Sequence, residues 1–229
     1  MITKLLSTAV KFYLRSQVSQ AESLQVKIVG KNRQILKGYI PEVFLYCQHG
    51  VYQGLHLQEV EVQGADIAFN LSEVLKKQPF RLLEPIVVNI KLSLAGNDLK
   101  ASIDSALLQS GLKDLWQIII SAQDTTPLDS QIAEASIKWH NIAIANNRLH
   151  LSGTYQDSAG KSQQLDLFTG IALANHHTLC LSPLKINDES GIVDDSLKKL
   201  EIDLGQDVVI EKLNIESEQI LCLGKITVN

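Results

Sequence analysis

Apolar and polar positions alternate along much of this chain. From Ile86 to Leu94 the alternation is cleanest. Ile86, Val88, Ile90, Leu92 and Leu94 fall on one parity, and Val87, Asn89, Lys91 and Ser93 on the other. Period two predicts a strand with one dry and one wet face. Its nine residues span roughly 30 Å at strand rise, longer than the usual strand. Ala95-Gly96-Asn97-Asp98 breaks the pattern, and Asn97 or Asp98 is placed to cap a helix. Leu99, Ile103, Ala106 and Leu107 follow at helical spacing. Gly111 is expected to divide this stretch into two helical pieces, the second carrying Leu112, Leu115, Trp116 and Ile119.

Other segments carry the same strand signature. Leu24, Val26 and Ile28 alternate, and Val43 to Cys47 is a denser apolar run after Pro41. Between Leu55 and Phe69 the alternation slips twice: Leu55 and Leu57 are odd, Val60 and Val62 even, Ala65, Ile67 and Phe69 odd again. Ala133, Ala135, Ile137 and Trp139 are odd, whereas Ile142 and Ile144 are even. A one-residue slip predicts a β-bulge, and bulges bend a sheet. Strands are expected over 132–145, 148–155, 163–174, 178–186, 207–215 and 219–228. Asp124 to Ser130 reads as a linker, Asn146-Asn147 and Asn175-His176-His177 as turns, and Asn187 to Ser196 as an acidic loop. One internal echo stands out. Ile142, Ile144, Leu149 and Gly153 match Leu213, Ile215, Ile220 and Gly224 at a constant offset of 71, as a duplicated hairpin would.

Residues 2–18 read as an amphipathic helix. Ile2, Leu5, Leu6, Ala9, Phe12 and Tyr13 form its apolar face, and Lys4, Thr8, Lys11 and Arg15 a basic stripe. Such a helix suits either an interfacial membrane contact or a packed helix with a solvated basic side. The domain reading is therefore an N-terminal helix over 1–19 and one α+β domain over 20–229.

Composition narrows the class. With 229 residues, 45% hydrophobic and 20% charged, the chain is long enough to bury a core without staples. Three cysteines, Cys47, Cys180 and Cys222, sit inside strand-like runs and read as free thiols of a reducing compartment. No apolar run approaches the roughly 18 residues of a membrane span. Lys4, Ser7, Thr8 and Lys11 interrupt any signal-sequence core. These features predict a cytoplasmic chain, peripheral on the inner face of a membrane. Net charge is −4, unevenly spread: residues 1–40 hold seven cations and Glu22 as the one acid, while residues 187–229 hold ten acids and four lysines. A basic head on an acidic protein points to an anionic partner there.

No catalytic set emerges. Ala159-Gly160-Lys161-Ser162 resembles the end of a phosphate-binding loop, but Tyr155 stands where a glycine is required and a strand follows. His176 and His177 are adjacent, and His49, His56, His140 and His150 are scattered, so no metal site or cofactor is expected. Nucleic acid is not expected of a net-acidic chain whose basic helix carries a continuous apolar face. A hydrolase would need a Ser or Asp hydrogen-bonded to a histidine at a cavity mouth.

Three stretches, 23–69 (SLQVKIVGKNRQILKGYIPEVFLYCQHGVYQGLHLQEVEVQGADIAF), 82–108 (LLEPIVVNIKLSLAGNDLKASIDSALL) and 204–228 (LGQDVVIEKLNIESEQILCLGKITV), carry a resemblance. With Gly38, Gly54, Pro85, Asn97-Asp98-Leu99, Leu204-Gly205 and Gly224 as punctuation, the chain resembles the LmeA-like phospholipid-binding family of bacteria over residues 20–228. The resemblance implies phospholipid binding without enzymatic activity, and kinship with tubular lipid-binding modules. In those modules a curved antiparallel sheet wraps one or two apolar helices and leaves an apolar groove. The residues agree in kind. The groove candidates are Ile86, Val88, Ile90, Leu92, Leu94, Ile103, Leu107, Leu112, Leu115, Trp116 and Ile119. The candidates for contact with an anionic membrane surface are Lys4, Leu5, Lys11, Phe12 and Arg15. The competing reading is a protein-interaction module whose helix fills the sheet and leaves no groove.

Overall fold

The computed structural model describes residues 8, 15, 17–74, 76, 78–122, 136–145, 148–157, 159–188, 199–216 and 218–229. Along the chain run β1 (Val18–Ser19), β2 (Ser23–Val29), α1 (Asn32–Ile35), β3 (Tyr39–Tyr52), β4 (Leu55–Ala68), α2 (Leu71–Val74), β5 (Ile86–Ala95), α3 (Gly96–Ala101), α4 (Ala106–Ser121), β6 (Lys138–Ala145), β7 (Arg148–Gln156), β8 (Ser162–Asn175), β9 (Thr178–Asp188), β10 (Leu200–Asp203), β11 (Val208–Glu216) and β12 (Gln219–Val228). The fold is mostly antiparallel sheet with few helices. A seven-stranded sheet has the order β1-β3-β4-β5-β12-β11, with β2 also on the outer edge of β3. A five-stranded sheet has the order β10-β9-β8-β7-β6, and neither sheet closes. The last strand, β12, lies between β5 and β11, pairing from Gln219↔Ala95 to Val228↔Ile86.

The expected strands occur, with two unforeseen additions: the four-residue β10 on the edge of the smaller sheet, and β1, in which Val18 pairs with Tyr52 where the N-terminal helix was expected to reach residue 18. The residues named for the 124–130 linker, for Ala133 and Ala135, for the 146–147 turn and for most of the 187–196 loop lie outside the described residues. The helical break differs from expectation. Gly111 lies inside α4, and the chain breaks at Ser102–Ser105 instead. Ser105 is the N-cap of α4, its Oγ accepting the Leu108 amide at 3.2 Å. Asp98 serves α3 from inside the first turn, where its carboxylate accepts the Ala95 amide at 3.1 Å. Helix α4 buries Leu112, Trp116 and Ile119 against Trp139, Leu149, Leu151, Leu165 and Leu167 of the five-stranded sheet. Leu94 and Ile215, from one end of the larger sheet, complete this main core. A second, smaller core of Ile28, Ile35, Ile40, Ile67 and Phe69 closes the opposite end of the seven-stranded sheet.

The slips in alternation have two structural meanings. At Trp139/Asn141 the β6–β7 register shifts by one residue, as a bulge requires. In β4 no register shift occurs. Pro41 opposite Asp66, and His49 opposite Gln58, drop out of the β3–β4 ladder, one residue on each strand at the same level. Asp66 and His49 have left-handed φ values of 55° and 45°, which turn the chain over. Ile40 and Val43 thereby reach one face despite opposite parity, as do Ile67 and Gly64. Because both strands lose one residue, register is preserved.

The sequence echo is a repeated hairpin. The β6–β7 pairs Ile142↔Leu151 and Ile144↔Leu149 correspond at an offset of 71 to Leu213↔Cys222 and Ile215↔Ile220 of β11–β12. The bulges obey the same offset, Trp139/Asn141 and Ile210/Lys212. So do the glycines. A Cβ on Gly153 would meet the Lys138 carbonyl at 2.9 Å, and one on Gly224 the Val209 carbonyl at 2.5 Å. Each bulge presses the facing backbone so close that only glycine fits.

Candidate functional site

Cross-strand rows of the seven-stranded sheet define its two faces. One row reads Val26, Leu45, Val62, Ile90, Gly224 and Ile210, and the next Leu24, Cys47, Val60, Leu92, Cys222 and Leu213. This face is apolar through six strands. Its ends are buried in the two cores, but Leu45, Val60, Val62, Ile90, Ile210 and Leu213 are half-buried and belong to neither. The stretch between the cores, Val88 to Leu92 on β5, is roughly 13 Å long, and five strands make it roughly 19 Å wide. Half of a bilayer's ~30 Å hydrocarbon core is comparable in length.

The opposite face is polar. Gln25, Tyr46, Glu61, Lys91 and Leu223 share a row there. The Lys91 ammonium donates to Glu59 Oε1 at 2.7 Å and to Glu61 Oε1 at 2.5 Å. Hydrogen bonding to Glu59, then to Glu61, holds the ammonium well above its ordinary value, and the same bond from Lys91 holds the Glu59 carboxyl low. A cleft of about 450 Å³ lies over this face, bounded by Lys27, Phe44, Tyr46, Glu61, Asn89 and Lys91, with Lys27 Nζ 5.8 Å from the Phe44 ring centre. This hollow is therefore on the wet side of the sheet.

The predicted groove residues divide. Leu94, Ile103, Leu112, Trp116 and Ile119 are in the main core, with Leu92 and Leu115 packed on it. Trp116 meets Trp139 edge to face, ring centres 6.3 Å apart. Ile86 packs on the second core, and Leu107 is 46% exposed. Val88 and Ile90 lie half-buried between the cores. The residues that complete this surface, Leu45, Val60, Val62, Ile210 and Leu213, were not singled out in the sequence. Their parity was visible, but not which strands would lie beside β5. Of the membrane-contact candidates, Lys4, Leu5, Lys11 and Phe12 lie outside the described residues, and Arg15 is helical and exposed.

One serine does meet a histidine. Ser152 Oγ lies 3.1 Å from His150 Nε2 and donates to Asp166 Oδ1 at 2.6 Å. The same Nε2 is 2.9 Å from that carboxylate oxygen. A nucleophile relay needs the imidazole between serine and acid, one ring nitrogen to each. Here both partners converge on one nitrogen, so proton relay through the ring is not available. The His150 ring stacks on Phe168 at 4.1 Å. His176 and His177 have a clear structural role. Their Nδ1 atoms lie 2.9 and 2.7 Å from the Ile210 and Val208 carbonyls, and the Ile210 amide donates to the His176 carbonyl at 2.7 Å. Carbonyls only accept, so each Nδ1 bears a proton. The pair fastens the β8–β9 turn to β11 and so joins the two sheets. Among the described residues no cluster of three or more His, Cys, Asp or Glu could hold a metal ion. No helix among them is long and apolar enough to cross a membrane.

Two open antiparallel sheets, a helix in the core between them and an apolar sheet face left partly uncovered define a protein built around extended apolar surface. The chain belongs to the LmeA-like phospholipid-binding family, whose profile matches residues 1–225. That is a lipid-binding family and not a known enzyme family. No curated protein and no solved structure matches the chain.

Proposed function

We propose that this protein is a non-enzymatic phospholipid binder that lays acyl chains on the apolar face between its two cores. The reading rests on one observation: Leu45, Val60, Val62, Ile90, Ile210 and Leu213 form a continuous apolar surface that neither core absorbs. Val88 and Leu92 bound it on β5, and the buried groove candidates Leu94, Ile103, Leu112, Trp116 and Ile119 act as the end wall. Each acyl CH₂ removed from water contributes about 0.8 kcal/mol, so a long surface suits a lipid better than a small pocket. The N-terminal segment, through Lys4, Leu5, Lys11, Phe12 and Arg15, contacts the anionic inner face of a membrane.

Native mass spectrometry with lipid extraction, on protein purified from its own host, tests the reading. Near-stoichiometric phospholipid is expected, reduced at least about tenfold by Ile90→Asp, because a charge set against acyl chains costs several kcal/mol. A clean apo mass that stays unchanged after incubation with liposomes would overturn it. The apolar face would then be an interface for a protein.

A further inference from the structure

The second core sits beneath an organised and unusually apolar tip. Two connections meet there: residues 30–38 around α1, and residues 69–85 between β4 and β5. Leu36 is 61% exposed, Phe80 56% and Leu83 63%. Each adjoins the core directly. Leu36 follows buried Ile35, Leu83 follows Leu82, and Phe80 stacks on buried Phe69 with ring centres 5.4 Å apart.

The tip is held in shape. Asn70 is buried, and its side chain is given wholly to the loop. Nδ2 donates to Glu73 Oε2 at 2.8 Å and to the Pro79 carbonyl at 2.9 Å, and Oδ1 accepts the Arg81 amide at 2.8 Å. The Phe69 amide donates to the Gly38 carbonyl at 2.8 Å, which joins the two connections. Gly38 has φ +79°, and a Cβ there would meet the Phe69 carbonyl at 2.5 Å, so no other residue fits. A buried asparagine and a left-handed glycine thus fix three large apolar side chains in water. Folding gains nothing from their exposure, and pre-organised exposed apolar groups mark a contact surface.

Charge identifies the partner. Lys31, Arg33, Lys37, Lys76 and Arg81 on the same two connections are exposed, and none is in an ion pair with another described residue. Glu73 and Glu84 are the acids there, and Glu73 is already bonded to Asn70. Protruding apolar side chains among unpaired cations fit the headgroup boundary of an anionic bilayer, where the apolar groups insert and the cations meet phosphates. This end is also remote from Val18, where β1 enters the sheet. The described chain joins the sheet at Val18 opposite Tyr52, the far end of β3 from Tyr39. Fourteen residues of strand separate those ends by roughly 45 Å.

We infer that this tip, through Leu36, Phe80 and Leu83 and the cations around them, is a docking site for an anionic phospholipid bilayer. The inference deepens the lipid-binding reading above and rests on it for its biological sense, but its test is separate. The full chain is cosedimented with vesicles of equimolar phosphatidylcholine and phosphatidylglycerol. L36S/F80S/L83S should lower the partition about tenfold or more. K31Q/R33Q/K37Q should lower it on the order of fivefold for each charge removed, and most at low salt. Bound lipid, read by native mass spectrometry, should match the parent in both variants, and so should the melting temperature of K31Q/R33Q/K37Q, whose side chains are exposed; L36S/F80S/L83S should melt slightly lower, because Phe80 loses its stack on Phe69. Vesicle binding by the parent that neither variant weakens would overturn the inference, as would no vesicle binding at all. So would a change in self-association in place of vesicle binding. A parent that carries no lipid, yet binds vesicles in a tip-dependent way, would sink the carrier reading and leave the docking site standing.

Discussion

Single residues here are fixed by what their neighbours leave unsatisfied. Asp166 shows it. Burial would raise its carboxyl, but hydrogen bonds from the Ser152 hydroxyl and the His150 imidazole outweigh burial and hold it below the ordinary carboxylate value. A lowered value means the folded state favours the carboxylate. Its contribution to stability is complete above the unfolded value, near pH 4, and is lost as pH falls through the lower folded value. Asp166→Asn should therefore be less stable than the parent at pH 7, with the gap narrowing at pH 3. Urea midpoints at the two pH values measure this, and an equal gap at both would refute the assignment. In the sequence His150 was one of four scattered histidines, with nothing to tie it to Ser152 or Asp166. Ser152 and Asp166 do meet a histidine, but no spacing rule could tell that both would use one ring nitrogen.

Among the elements, α4 shows how burial, and not apolar character, sets energetic weight. Ile118 and Ile119 are adjacent and chemically identical, but Ile119 is 0% exposed and Ile118 37%. Ile119→Ala should cost about 2–5 kcal/mol through lost contacts and a residual cavity. Ile118→Ala should stay within about 1 kcal/mol. Urea denaturation of the two variants checks the contrast, and similar costs would mean that α4 is not packed as described. Helical spacing made Leu112, Leu115, Trp116 and Ile119 visible as one stripe. It did not place the break, because Gly111 was the stronger local signal and the Ser105 cap depends on the Leu108 amide. The repeated hairpin was legible for the opposite reason. Its glycines and apolar positions answer to contacts within one hairpin, so the pattern survives in sequence at both copies.

The whole molecule brings together surfaces that lie far apart in the chain. The apolar face combines β2, β3, β4 and β5 with β11 and β12, more than a hundred residues later. The N-terminal contribution to membrane contact can be isolated by deletion. Removing residues 1–17, which carry Lys4, Lys11 and Arg15, should weaken binding to anionic vesicles on the order of fivefold for each cation lost, since each cation near such a surface is worth about 1 kcal/mol. Lipid carried by the protein should be unaffected. Unchanged vesicle binding, measured by cosedimentation, would assign the contact to other parts of the chain.

By itself the sequence determined the strands and their two faces, the helical stripe and the repeated hairpin. These depend on periodicity and on contacts a few residues away, which local order records. It also carried the family resemblance, in the hydrophobic pattern and in punctuating residues such as Gly38, whose left-handed backbone and close approach to the Phe69 carbonyl admit no side chain. Only the tertiary structure decided which apolar stripes become core and which remain partly open. Ile119 and Ile90 look alike in sequence. One faces the five-stranded sheet, and the other faces the space between two cores. Only the tertiary structure, too, brought Leu36 beside Phe80 and Leu83. Residues 30–38 and 69–85 are joined by the Gly38–Phe69 hydrogen bond and a shared core, and no local rule encodes a meeting across so long a stretch of chain.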